Sequence, residues 1–204
     1  MKKSISKFVS LILALSLCLS LCISAFAAEI DTNGGSGTTP VNLSTTADGS
    51  LDGEPAAAAM SVTVPTALPM AMSQDGDVTT ADNCMIINNS YGAVRVKTVT
   101  ISAASDWSLT AFGDKAILAN EKVDSNKLGF AITIGSGNQF YTDASNAATQ
   151  QLISSPVIGC YMTGVGDTSG NAVAVDYAAI VTPLSSAVTN ATIANVVFVV
   201  EWDT

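Results

Sequence analysis

Alternation of apolar and polar residues is the feature that most constrains this chain. Leu128, Phe130, Ile132 and Ile134 recur with a period of two, which places them on one face of an extended strand. Similar short segments follow one another from residue 60 onward, separated by turn residues every 8–12 positions or so. The pattern predicts an all-β domain over residues 60–204, folded as an antiparallel β-sandwich of the Greek-key or jelly-roll type. An antiparallel barrel is the alternative.

Finer features of the pattern predict individual elements. The last strand is apolar on both faces because Val197 and Val199 break its alternation, so we expect it to lie at the centre of a sheet. The apolar parity changes within residues 93–102, which indicates a β-bulge near Lys97. Helical pattern is confined to two short pieces, residues 114–123 and 143–153.

The start of the chain predicts export. Three lysines precede an apolar run over residues 11–23, and Ala25 and Ala27 place small residues where a signal peptidase reads. This pattern predicts a secretory signal peptide over residues 1–27. A membrane anchor would need about 20 apolar residues, more than this run supplies. A lipoprotein is another alternative, although Cys18 and Cys22 each follow a leucine.

Residues 28–59 lack a periodic apolar pattern and are rich in Gly, Ser, Thr, Ala and acids. Such a composition buries too little surface to offset the entropy of ordering the chain, so it predicts a flexible linker. Two interpretations stay open: a stalk that lifts the domain from a surface, or a simple disordered terminus. No later apolar stretch is long enough to predict a transmembrane segment in the mature protein.

Charge and composition exclude several classes of function. Three of the eight basic residues lie in the signal peptide, which leaves five against seventeen acids, a net charge of −12. This charge repels phosphate backbones, so we expect no nucleic-acid partner. The chain has no histidine, which excludes Ser-His and Cys-His nucleophiles and His-ligated zinc. We therefore predict that it is not an enzyme and has no cofactor; a polysaccharide hydrolase acting through carboxylates alone is an alternative.

Two cysteines remain after the signal peptide, Cys84 and Cys160. An exported protein can pair them in a disulfide, but they can equally be buried thiols that pack as small apolar groups. Asp75-Gly76-Asp77 is a favoured hairpin turn, with a cation loop as the less supported interpretation. The loop at residues 167–171 offers alternating oxygen ligands, and whether it binds a cation stays open.

A family resemblance rests on two tryptophans. Trp107-Ser108-Leu109 follows a long Val- and Thr-rich strand, and Trp202 ends the last strand about 95 residues later. This layout resembles the W-x-L domain of Gram-positive surface proteins. The resemblance implies an exported β-sandwich that attaches non-covalently to the cell wall through Trp107, Leu109 and Trp202. The second copy departs from the motif because Asp203 and Thr204 follow Trp202 and supply no leucine.

Together these features predict a non-catalytic protein that is secreted and associated with the cell surface or cell wall. Its expected partners are a cell-wall polymer or other surface proteins, including copies of itself. The alternative is a structural subunit of a surface fibre or layer. Such a subunit would assemble by strand exchange, with its N-terminal segment or its last strand completing a neighbour's sheet.

Overall fold

A computed structural model describes residues 41, 43–50, 53 and 56–204, so the predicted signal peptide and most of the predicted linker lie outside the described residues. The chain divides into two compact units, Met1–Ala56 and Ala57–Thr204. In the first unit, the described residues form a turn in which Thr46 Oγ1 donates to Ser50 O at 2.9 Å. The second unit carries all the strands described below.

Twelve strands and one helix make up the second unit. In chain order the strands are β1 (Val62–Thr63), β2 (Met70–Met72), β3 (Val78–Thr80), β4 (Met85–Asn88), β5 (Val94–Ala103), β6 (Ser108–Thr110), β7 (Lys127–Ile134), β8 (Gln139–Tyr141), β9 (Thr149–Ile153), β10 (Tyr161–Met162), β11 (Ala172–Val181) and β12 (Ala194–Trp202). The helix α1 is a single turn, Ala116–Ala119. None of the described residues forms a helix long and apolar enough to cross a membrane.

The first sheet has the strand order β1-β4-β11-β7-β6, and β8 also pairs with β7. Strand β6 runs parallel to β7, whereas every other described strand pair is antiparallel. The second sheet consists of β5 with β12 along one side and β9 and β10 along the other. Neighbours are often distant in sequence, as with β4 beside β11 and β5 beside β12. The predicted all-β sandwich is confirmed.

Apolar faces of the two sheets meet in one core. Leu128, Phe130, Ile132 and Ile134 of β7 are all buried there, as their spacing predicts. The β5 residues facing them across the core include Val99 and Ile101. Phe130 also stacks on Tyr177 of β11, with ring centroids 6.1 Å apart. Period-two alternation therefore sets which face of each sheet is buried.

The bulge predicted near Lys97 is present. Val199 of β12 pairs with Thr98, but the next residue, Val200, pairs with Val96, so Lys97 is the extra residue on β5. The extra residue shifts the parity, and this is why Val96 and Val99 both point into the core despite their odd spacing.

Two expectations about single elements are wrong. Among the residues that the structure describes, β12 pairs with β5 alone, so it is an edge strand there and does not lie at the centre of its sheet. Residues 143–153 are not helical: they form a loop followed by β9. The Asn and Asp side chains in that loop bond to nearby backbone N–H groups, which favours turns over helix. The other helical prediction, within residues 114–123, is confirmed by α1.

A small hairpin of β2 and β3 packs against β11. Its turn has Gly76 at φ +79°, in the left-handed region that the Asp-Gly dipeptide favours. The Tyr177 hydroxyl on β11 donates to Pro69 O and accepts a bond of 3.2 Å from Ala81 N–H. These two bonds tie the hairpin to the first sheet.

Candidate functional site

The residues of the predicted wall-binding motif do not form one surface. Leu109 is only 4% exposed and belongs to the core. Trp107 lies near the end of β5 where Ala103 pairs with Ala194, and the backbone N–H of Trp107 donates to Ala104 O. Trp202 pairs with Val94 at the other end of β5, about 30 Å away at the rise of a strand.

Both tryptophans pack partly against the core. The ring of Trp202 lies on Gly92, where a Cβ atom would be 3.0 Å from its Cζ3 atom. Gly92 therefore leaves the space that the indole occupies. Wall binding through Trp107, Leu109 and Trp202 stays a prediction.

Cys84 and Cys160 are both free thiols in the structure. Cys160 is buried in the core, and burial raises the pKa of its thiol. Cys84 is only half-buried and precedes β4. Of the two interpretations that the sequence left open, the structure has the unpaired thiols.

The aspartates of the two candidate cation loops, Asp167 and Asp77, are engaged by other groups of the protein. Asp167 Oδ1 accepts from Ser169 N–H at 3.1 Å and from Ser169 Oγ at 2.6 Å. These bonds lower the pKa of Asp167. Asp77 at the β2–β3 turn forms an ion pair with Lys115. Within the described residues, no group of three Cys, Asp or Glu side chains is placed to hold a metal ion.

A groove of about 520 Å³ lies where the chain crosses from the first sheet to the second. Its walls come from β8, from β9 and from the loop between them, which spans residues 142–148. Its lining is mostly polar: Gln139, Phe140, Tyr141, Asp143, Ser145, Asn146, Thr149, Gln150, Gln151 and Leu152. We call this feature the β8–β9 groove.

Gln150 fixes the loop between β8 and β9 that lines the groove. It is almost fully buried, and its Oε1 atom accepts from Asp143 N–H at 2.9 Å. Its Nε2 atom donates to Asp143 O at 2.8 Å and to Asn146 O at 2.7 Å. Because one side chain satisfies three backbone groups, the loop is held in one conformation.

Thr142 anchors the start of the same loop in the core. It is fully buried, its Oγ1 atom donates to Thr110 O, and Phe130 N–H donates to that Oγ1 atom at 2.9 Å. The groove is thus built on β6, β7 and β9 and not on the loop alone. Such support fixes the backbone from which the lining side chains project.

Tyr141 supplies an exposed aromatic face beside the polar lining. It pairs with Ala131 on the outer face of the first sheet, and its side chain is 61% exposed. Its neighbour Phe140 points the other way and packs against the core. Asp143 adds a carboxylate whose pKa is lowered by hydrogen bonds from Ser145. An aromatic face with amide and carboxylate groups around it can stack on and hydrogen-bond a ring that carries hydroxyl groups.

Sequence reasoning missed this groove. The signal was present in Gln139-Phe140-Tyr141, where the alternation places Phe140 in the core and Tyr141 outside. The helical interpretation of residues 143–153 missed the rest, because the structure has a loop followed by β9 there, and these elements bring Asp143 and Gln151 to one cleft.

Comparisons with models of known protein families, with curated proteins and with solved structures found no match to this chain.

Proposed function

We propose that this chain is an exported, non-catalytic protein of the cell surface that binds a polysaccharide of the cell wall in the β8–β9 groove. The observation that carries the proposal is the exposed Tyr141 ring beside the amide and carboxylate lining of a groove held open by Gln150. The signal-peptide pattern and the W-x-L resemblance support the location, and the lack of histidine supports a binding role.

The chemistry of the lining favours a sugar ligand. Tyr141 offers a face of the size of a sugar ring, and Gln139 and Gln151 are exposed side chains that both donate and accept hydrogen bonds. The hydroxyl groups of a sugar need both kinds of partner.

The charge of the protein favours an uncharged polymer. The mature chain carries −12, and Asp143 places one ionised carboxylate in the groove itself. Anionic wall polymers would be repelled by this field, so we propose a neutral glycan as the ligand.

The test is a pull-down of the mature protein by isolated cell walls, followed by titration with neutral glycans and with an anionic wall polymer. Tyr141→Ala should weaken binding by about fivefold, since an aromatic contact contributes about 1 kcal/mol. Tyr91→Ala is the matched control, because Tyr91 is 87% exposed and does not line the groove. Equal binding by both variants would refute the groove as the site.

A second candidate function is association with other copies of the chain through strand pairing. The observation that favours it is the position of β12 at the edge of its sheet. Sedimentation of the mature protein tests it, and a monomer at high protein concentration would count against it.

A further inference from the structure

The outer side of β12 is a long unpaired strand edge. Strand β12 is nine residues long, pairs with β5 along its whole length, and meets no other strand among residues 56–204. We call its unpaired side the β12 edge. A free edge presents a row of N–H and C=O groups that another strand can bind.

Two hydrogen bonds at the ends of β12 show which of its residues direct their backbone groups away from β5. Ala104 N–H donates to Ile193 O, and Asp203 N–H donates to Ala93 O, both at 3.0 Å. Backbone groups alternate in direction along a strand, so odd-numbered residues of β12 face β5. The even-numbered residues therefore direct their backbone groups to the free edge: Ala194, Val196, Phe198, Val200 and Trp202.

Natural edge strands usually carry a device that prevents pairing, such as proline, lysine or a bulge. Strand β12 has no proline and no lysine, and the extra residue where it pairs with β5 belongs to β5. Its outward face exposes Val197 at 53% and Val199 at 43%. A long, regular, apolar edge of this kind favours addition of a further strand.

The charge on β12 is also neutralised locally, although the protein as a whole is strongly acidic. Glu201 is its only charged residue. The Glu201 carboxylate is 2.9 Å from Arg95 Nη2 and 2.7 Å from Lys97 Nζ. Two copies can therefore approach through this edge without bringing unpaired charges together.

The sequence of β12 is complementary to itself in the antiparallel direction. A two-fold axis at Phe198 pairs Val196 with Val200 of the second copy, and Ala194 with Trp202. All five residues whose backbone groups face the β12 edge then lie opposite such residues of the second copy, so each of their N–H groups can donate to a C=O group. On the outer face Val197 meets Val199, and Asn195 meets Glu201. No like charges lie opposite each other, and the small Ala194 lies opposite the large indole of Trp202.

From this complementarity we infer that β12 pairs with β12 of a second copy, antiparallel and centred on Phe198, to form a closed dimer with one continuous sheet. The inference rests on the second candidate function above, association between copies. The interface is isologous, because each copy uses the same edge. It consumes the β12 edge of both copies, so pairing through this strand stops at two.

The first test is the mass of the mature chain in solution, measured by light scattering. The wild type should be a dimer, and V197K/V199K should be a monomer because the pairing would set lysines opposite each other. Both positions are exposed, so the fold should persist, which circular dichroism checks. V123K/I158K adds the same charge at exposed positions outside β12 and should remain a dimer.

The second test fixes the register by cross-linking in a Cys84→Ser background. Val197 and Val199 of the two copies form a pair without direct backbone bonds, whose Cα atoms lie about 4.5 Å apart. That separation suits a disulfide. By contrast, the Cα atom of Val197 in one copy is about 8 Å from the Cα atom of Val197 in the second copy, along the diagonal. Mixing V197C with V199C should therefore give a disulfide heterodimer, and V197C alone should give little.

The outcomes separate the two ideas. A monomeric wild type would overturn both association and β12 pairing. A wild type and a V197K/V199K variant that both dimerise would overturn β12 pairing alone and leave association through another surface. If V197K/V199K were monomeric but V197C alone formed a disulfide dimer, β12 pairing would stand and the register centred on Phe198 would be overturned.

Discussion

Asn88 offers the sharpest test of what stabilises the fold, because its side chain is fully buried and both its Nδ2 and Oδ1 atoms form hydrogen bonds. Its Nδ2 atom donates to Gly92 O at 2.9 Å and to Thr163 O at 2.8 Å. Its Oδ1 atom accepts from Ser90 N–H at 2.8 Å. One amide therefore joins the end of β4 to the turn before β5 and to the loop after β10.

Asn88→Asp keeps the size of the side chain but replaces the donor with an oxygen. The carbonyl groups of Gly92 and Thr163 would then lose their partner and face a second acceptor. One hydrogen bond contributes about 0.5–1.5 kcal/mol net, so the loss of two should lower the free energy of unfolding by about 1–3 kcal/mol. A domain of this size should melt about 6 °C lower.

The assay is urea unfolding at pH 7, followed by circular dichroism, with Asn89→Asp as the matched control. Asn89 is exposed and its side chain donates one hydrogen bond, to Thr63 Oγ1, so the same change there should cost less than about 0.5 kcal/mol. If N88D and N89D unfolded at the same urea concentration, the reasoning from these three bonds would be refuted.

Three further predictions follow from other contacts. Tyr177→Phe removes the hydroxyl that joins the β2–β3 hairpin to β11, and should cost about 1–3 kcal/mol with faster amide exchange in that hairpin; unchanged exchange there would contradict the role. Hydrogen bonds from Lys97 and Arg95 lower the pKa of Glu201, so its contribution to stability is present above the ordinary carboxyl pKa and is lost as pH falls through the lowered value. E201Q should therefore melt lower than wild type at neutral pH and approach it in acid, and parallel melting curves would argue against this. Denatured, unreduced protein should show two free thiols, whereas the native fold should protect Cys160; a count of zero would mean that Cys84 and Cys160 pair.

Period-two spacing carried most of the fold prediction. The buried face of β7 follows directly from Leu128 to Ile134, and a parity change alone located the bulge at Lys97. Both are local signals, since burial of one face of a strand selects the side chains on that face.

The position of a strand within its sheet was harder to predict. The apolar outer residues Val197 and Val199 suggested a central strand, yet β12 is at the edge of the sheet formed by the described strands. An apolar residue is consistent with any covering surface, including one from a second copy, so composition cannot say what covers it. The groove was missed for a related reason: Tyr141 and Gln151 line one groove, although their strands belong to different sheets, and local spacing does not show which strands lie side by side.

The pairing of β12 with β5 also determines when the domain can be completed. Glu201 bonds to Arg95 across 106 positions of sequence. A polypeptide that emerges N-terminus first from a ribosome or a translocation channel cannot close its second sheet until β12 has emerged. Completion of the second sheet is therefore a late step, and contacts between residues so distant in sequence form slowly.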